Sequence, residues 1–314
     1  MQMVKAVMFT APGRVAVRDV PLRALGAGEV VVRTLFSGIS SGTELLAYRG
    51  EIDPDLVLDE NIDALGGTFA YPFQYGYACV GDVDGSLVFA FHPHQERFVA
   101  PARDLVRLGD VDPREATLFP LVETALQIAL DAGPVLGDDV VVLGLGVVGT
   151  LTALLLARAG AHVVGVDPLV WRRQVARSVG IEAVAPDDAP HDVPLVVEVS
   201  GRPEALASGL ELLAHEGTAL VASWYGRKHV PLPLGGAFHR RRLTLRSTQV
   251  STIPAALRDR WSIERRRSAS VELLDALPLR ALATHAFPIA AAADAFAALD
   301  RGDNGLLHAA LRYE

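Results

Sequence analysis

Three glycines, Gly144, Gly146 and Gly149, spell GLGVVG directly after the apolar run VVVL and before a long apolar helical pattern. Gly144 permits a tight turn, Gly146 lets a phosphate approach the backbone, and Gly149 lets the helix pack close to a sheet. The backbone of Leu145, Val147 and Val148 then opens a helix, whose free N–H groups and partial positive charge suit a pyrophosphate. Asp167 ends the next apolar run, 18 residues after Gly149. A carboxylate there is placed to accept ribose hydroxyls and repels a 2′-phosphate, so NAD is expected over NADP. Arg172 and Arg173 could reach such a phosphate, but are expected on the outer face of the following helix. The competing reading is a glycine turn with no ligand.

Two further apolar runs, PLVVEVSG and GTALVASWYG, place Ser200, Gly201, Ser223, Trp224 and Tyr225 at strand ends. In an open α/β sheet, ligands lie at the carboxyl ends of the strands. Trp224 and Tyr225 could therefore wall the nicotinamide side of a pocket. A different stretch, SGISSGTE over 37–44, holds small polar residues and one acid. On composition alone it is a turn.

The elements that must hold these residues alternate strand and helix over about 120–260. Buried-type strands that are apolar throughout fit a parallel sheet covered on both faces. WRRQVARSVG and PEALASGLELLAHEG read as helices, and RLTLRSTQ closes the series. Residues 3–9, 14–20 and 29–36, with ACVGDV, SLVFAF and RFVAP, read as short strands of a β-rich domain. In the last fifty residues ASVELLDAL and AAADAFAALDRG read as helices and HAALRY as a strand, expected to return to that first domain. The expected fold class is α/β: a doubly wound dinucleotide-binding domain over 121–264, and a β-rich domain from 1–120 and 265–314.

Composition narrows the function. With 314 residues and a net charge of −8, the chain is not expected to bind nucleic acid, which needs a concentrated basic face; the triplets Arg240–Arg242 and Arg265–Arg267 are expected to be solvated charges. Its single cysteine, Cys79, excludes an intramolecular disulfide and a four-cysteine zinc site. The longest apolar run is broken by Arg158 and His162, so no membrane span is expected. The start, MQMVKAVMFTAPGRV, lacks the apolar core of a signal peptide. A cytoplasmic location is expected.

SGISSGTE, YGYACVGDV, FHPHQERFVAPARDLVRL, the GLGVVG unit and the ending HAALRY together resemble the medium-chain dehydrogenase/reductase superfamily, the zinc alcohol dehydrogenase-like proteins, over nearly the full length. SGISSGTE and LVETAL are most similar to the branch that includes bacteriochlorophyllide dehydrogenases. The resemblance implies a Rossmann domain joined to a GroES-like catalytic domain, a small-molecule substrate, and a homodimer paired through the last strand of the cofactor sheet, LTLRSTQ.

Zinc-dependent members of that superfamily carry cysteine, histidine, and cysteine or glutamate at three places. Here those places read Ser40 or Ser41, Gly76-Tyr77-Ala78, and Phe119-Pro120. No metal is therefore expected. By the same resemblance, Thr43 matches a proton-relay hydroxyl, Tyr77 replaces the zinc histidine, and His92 and His94 lie on a segment lining the substrate pocket. Glu123 begins where relatives approach the nicotinamide. The histidines could instead be bonded to backbone at a strand end, and Glu123 could be a structural acceptor. For the proton the expected order is His94, Tyr77, His92, Glu123, histidine leading because its ordinary pKa of about 6.5 suits transfer near neutrality. The function expected is zinc-independent hydride transfer between NAD(H) and a secondary alcohol or ketone. An NADPH-dependent enoyl or quinone reductase and a non-catalytic dinucleotide-binding protein remain as alternatives.

Overall fold

The computed structural model describes residues 2–314. In chain order the strands are β1 Met3–Ala11, β2 Arg14–Pro21, β3 Glu29–Ile39, β4 Phe73–Gln74, β5 Cys79–Val83, β6 Ser86–Ala90, β7 Arg97–Pro101 and β8 Val106–Arg107. Next come β9 Asp139–Leu143, β10 His162–Val166, β11 Glu182–Val184, β12 Val193–Glu198, β13 Leu213–Val221 and β14 Thr244–Ser247, then β15 His285–Pro288 and β16 Ala309–Arg312. The helices are α1 Thr43–Arg49, α2 Phe119–Ala132, α3 Val147–Arg158, α4 Val170–Ser178, α5 Pro203–Leu212, α6 Ile263–Ala276, α7 Leu279–Leu282 and α8 Ala292–Arg301. Two compact units result: residues up to Pro120 together with Leu274–Glu314, and Leu121–Leu273. Both crossings fall inside helices, the second in α6, later in the chain than the 264/265 boundary read from sequence.

The second unit is a six-stranded parallel sheet in the order β11-β10-β9-β12-β13-β14. Its central strands are apolar along their length because helices cover both faces; Val140 to Leu143 are all buried. α3 is buried on most of its circumference and starts at Gly146. A Cβ on Gly149 would sit 1.8 Å from the Gly144 carbonyl oxygen, so no side chain fits there. Gly144 itself has φ +98°, a conformation that side chains rarely adopt.

One sequence expectation fails in this unit. The helix read through PEALASGLELLAHEG stops at Leu212, and the rest belongs to β13. Parallel pairing of Val193 with Leu213 begins at once. The Arg241 guanidinium then donates to the carbonyls of Glu211 and Leu213, at 3.1 and 2.8 Å, taking acceptors that a continuing helix would need.

In the first unit a seven-stranded sheet has the path β15-β16-β3-β5-β6-β8, with β7 also on β3, and β1 pairs with β2 and β4. The C-terminal strand β16 lies antiparallel to β3, aligning Leu311 with Ser37 and Ala310 with Gly38. An aromatic cluster centres the core: Phe9 stacks on Phe73 and meets Phe296 edge-on, both at 5.2 Å. SGISSGTE runs from the end of β3 into α1, so it joins a strand to a helix. Its Gly38 is required by packing, since a Cβ would lie 3.0 Å from Thr117 Cβ and 3.1 Å from His308 Cε1.

Candidate functional site

Two constellations hold chemistry, one in each unit. In the first unit, α1 begins at Thr43 and carries Glu44 inward, with no solvent exposure. Glu44 Oε1 accepts the Ser40 N–H at 2.9 Å, which closes the turn on itself. Glu44 Oε2 lies 2.8 Å from His94 Nε2, and His94 Nδ1 lies 2.7 Å from Ser37 Oγ. Ser37 Oγ in turn meets the Tyr313 hydroxyl at 2.8 Å. A carboxylate, an imidazole, a hydroxyl and a phenol thus form one buried chain from α1 to Tyr313, just past β16.

Tyr77 stands beside this chain, half-buried. Its phenol lies near the hydroxyls of both Ser40 and Thr43. Burial, with the Glu44 and Asp59 carboxylates nearby, pushes that phenol up to about 12 against the pull of the two hydroxyls. It therefore carries its proton at neutral pH and can donate to an oxygen. Of the two serines, Ser40 is buried and lies near Tyr77, and Ser41 is exposed.

Both histidines have partners within the protein. His94 has 0% exposure and both ring nitrogens engaged, so it can act only through its partners. His92 stacks on Phe98 at 3.8 Å, with Nδ1 2.9 Å from the Pro93 carbonyl. Burial lowers its pKa to about 4, so it is neutral at working pH. Glu123, in the second unit, is buried against Arg266, whose Nε and Nη2 donate to Oε1 at 3.1 Å, while Arg266 Nη1 donates to Gln127. Burial pushes the Glu123 carboxyl up, and the Arg266 and Arg267 guanidiniums pull it down. Its geometry is that of a structural ion pair joining α2 and α6.

The second constellation lies at the carboxyl end of the parallel sheet. Asp167, 2% exposed, accepts the Leu145 N–H on Oδ2 and the Leu169 N–H on Oδ1, each at 2.9 Å. The carboxylate thus holds the glycine turn, and a carboxylate has further acceptor sites for ribose hydroxyls. Arg172 and Arg173 do not lie outward along α4. Arg172 Nη1 is 3.6 Å from Asp167 Oδ2, and Arg173 Nη1 donates to the Asp167 and Pro168 carbonyls. A Cβ on Gly146 would meet nothing within 4 Å, which leaves the open approach that a pyrophosphate needs. Gly201 N–H donates to Ser223 Oγ at 2.8 Å, and Tyr225 O–H to Glu198 Oε2 at 2.6 Å. Trp224 is 43% exposed.

Comparison with known proteins agrees with this geometry. The family described as zinc-binding dehydrogenase matches residues 147–263. D-guloside 3-dehydrogenase of Escherichia coli K12 is 28% identical over 307 residues, spanning 86% of this chain and 88% of that protein. The 2-desacetyl-2-hydroxyethyl bacteriochlorophyllide A dehydrogenase of Cereibacter sphaeroides is 29% identical over 251 residues, spanning 70% and 74%. Among solved structures, L-idonate 5-dehydrogenase of Escherichia coli superposes with a TM-score of 0.80 at 14% identity, over 99% of both chains. A short chain alcohol dehydrogenase of Escherichia coli CFT073, complexed with NADH, gives 0.78 at 16%, over 100% of both. In sequence and in fold the chain is similar to the zinc-type medium-chain dehydrogenases/reductases.

The zinc of zinc-dependent superfamily members does not fit the groups found here. Ser40 and Tyr77 offer a hydroxyl and a phenol, and Phe119 offers no donor: it is fully buried and packs on Phe89 at 4.6 Å. Cys79 is turned away, its thiol directed at the carbonyls of His92 and Pro93 and pushed far up by burial. Among the described residues no three His, Cys, Asp or Glu gather to hold a metal. No helix among them is long and apolar enough to cross a membrane.

Four residues of these sites escaped the sequence reading as participants: Ser37, Glu44, Glu198 and Tyr313. Glu44 stood visibly next to Thr43, and Glu198 two residues before Ser200. Nothing local marks Ser37 or Tyr313.

Proposed function

We propose that this chain is a zinc-independent oxidoreductase of the medium-chain dehydrogenase/reductase type that interconverts a secondary alcohol and a ketone with NAD(H), using Tyr77 to handle the proton. The observation that carries the reading is the Tyr77 phenol, beside the hydroxyls of Ser40 and Thr43 at the place where, by the resemblance, zinc-dependent relatives have a zinc-ligating histidine. Relatives named as dehydrogenases of a guloside and of a hydroxyethyl bacteriochlorophyllide support a hydroxyl-bearing substrate.

Gly144–Gly149 and Asp167 would hold the dinucleotide, with Ser200, Gly201, Ser223, Trp224 and Tyr225 at neighbouring strand ends. When bound, the nicotinamide supplies or accepts the hydride. The protein's part is the proton. In reduction, Tyr77 O–H donates to the substrate carbonyl oxygen and gives up its proton as the alcohol forms. Hydrogen bonds from Ser40 and Thr43 stabilise the phenolate left behind. In oxidation the phenolate takes the alcohol proton. Glu44 keeps Ser40 in place through its backbone N–H, and His94 keeps Glu44 in place.

The reading is tested by dialysing purified protein against a chelator and assaying a panel of secondary alcohols with NAD. Turnover that survives chelation, with far less than one zinc per chain by elemental analysis, is expected. About one zinc per chain, lost together with activity, would show the reading to be wrong.

A further inference from the structure

The carboxylate of Glu198 is the last side chain of β12 and has 0% exposure. A buried carboxylate is stable only where its lone pairs are met. Three donors meet them. Oε1 accepts the Ser200 N–H at 2.7 Å and the Ser200 O–H at 2.5 Å, and Oε2 accepts the Tyr225 O–H at 2.6 Å. Two of these donors are hydroxyls at the carboxyl ends of adjacent parallel strands, β12 and β13.

The turn so fixed is part of the wall of the glycine loop. A Cβ on Gly144 would lie 2.6 Å from Ser200 Cα, and one on Gly149 would lie 3.0 Å from Val199 Cγ1. Val199 N–H donates to the Leu143 carbonyl at 3.0 Å, Arg202 N–H to Ser200 Oγ at 3.1 Å, and Lys228 Nζ to the Gly201 carbonyl at 3.3 Å. Three of the turn's bonds converge on the Glu198 carboxylate.

We propose that Glu198 is a positioning residue for the bound dinucleotide, fixing the Ser200 turn against the glycine loop and aiming the Tyr225 phenol along the same sheet edge. This rests on the reading that the second unit binds a nicotinamide dinucleotide. Burial, and then the hydrogen bond to Glu198, raises the Tyr225 phenol well above its ordinary value, so the phenol keeps its proton and the bond at any working pH. The role needs an acceptor of carboxylate shape and does not need the charge. A glutamine keeps one oxygen for Ser200 and can turn its NH₂ toward the phenol oxygen.

The test is NADH titration by calorimetry, with the emission spectrum of bound NADH, for wild type, Glu198→Ala, Glu198→Gln and Tyr225→Phe. The alanine variant should bind NADH about tenfold more weakly, because its Ser200 and Tyr225 hydroxyls lose their acceptor. Its bound-NADH emission should move toward that of free NADH. Glutamine should restore affinity to within about threefold of wild type, and phenylalanine should lie between the two. Wild-type affinity and emission in the alanine variant would overturn the proposal. So would a glutamine variant as weak as alanine, which would assign the effect to charge. If the alanine variant does not fold, Tyr225→Phe with wild-type affinity and emission overturns it instead. Wild type that binds neither NADH nor NADPH would sink the functional reading itself; bound wild type with indifferent variants sinks only the role of Glu198.

Discussion

His94 Nε2 lies 2.8 Å from Glu44 Oε2, and neither side chain reaches solvent. Removing either partner leaves a polar group buried and unmatched, a change that typically costs about 3–5 kcal/mol. His94→Ala and Glu44→Ala should each lose that much in urea unfolding. Glu44→Gln, which keeps an oxygen for Ser40 N–H, should lose less. A loss below about 1 kcal/mol in both alanine variants would mean the pair is not what holds α1 against the segment between β6 and β7.

Tyr77→Phe should lower kcat by about 10² to 10⁴ with little change in dinucleotide affinity, the usual worth of a general acid or base. The pH profile carries the sign. With its phenol pushed up to about 12, Tyr77 is protonated across the neutral range. Alcohol oxidation needs the phenolate, so kcat/KM in that direction should rise about tenfold per pH unit between pH 7 and 10. Ketone reduction needs the phenol and should stay level. A flat oxidation profile in wild type would exclude Tyr77 as the base.

Acid should unfold the first unit early. Burial lowers the pKa of His92 to about 4 and that of His308 to about 3. Between those values and about 6.5 the unfolded chain binds protons that the folded chain refuses, so stability falls as pH drops through that window. Each group contributes up to about 1.4 kcal/mol per pH unit across it. His308→Gln, which can still face Thr117, should flatten the slope. Equal slopes in wild type and variant, read from thermal midpoints between pH 7 and 4.5, would contradict this.

Asp167→Ser should narrow the expected preference for NAD over NADP, because the carboxylate that repels a 2′-phosphate is removed while Arg172, 3.6 Å from it, stays. The variant should also bind both dinucleotides less tightly, since Leu145 N–H loses its acceptor. Calorimetry on wild type showing tighter binding of NADPH would reverse the assignment.

β14 ends the parallel sheet, and all four of its residues are exposed. An open strand edge invites pairing with a second copy. Light scattering at micromolar concentration should give twice the chain mass of 33.4 kDa. The monomer mass would rule this pairing out.

The cofactor constellation was legible because its determinants are local. Three glycines, an apolar strand on each side and Asp167 fall within one βαβ unit, and each acts through backbone it adjoins. The first constellation was legible only in pieces. Thr43, Tyr77 and His94 could be named, yet their order of importance depends on contacts across the chain. His94 meets Glu44 across 50 positions, and Ser37 meets Tyr313 across 276. No periodicity reports such pairs. The helix read past Leu212 failed for the same reason: the residue that ends it, Arg241, lies far along the chain.

The place of β16 beside β3 has a consequence for biosynthesis. Phe36–Ile39 pair with Ala309–Arg312, which leave the ribosome only after the whole second unit has been made. At ordinary translation rates that interval is on the order of 10–50 s. During it, the buried Ser37 lacks Tyr313, and one edge of β3 is open to other strands. A circular permutant that starts at residue 274 and runs on into residue 2 would supply both partners early. It should reach the native state sooner after release, and depend less on chaperones, than the natural order does.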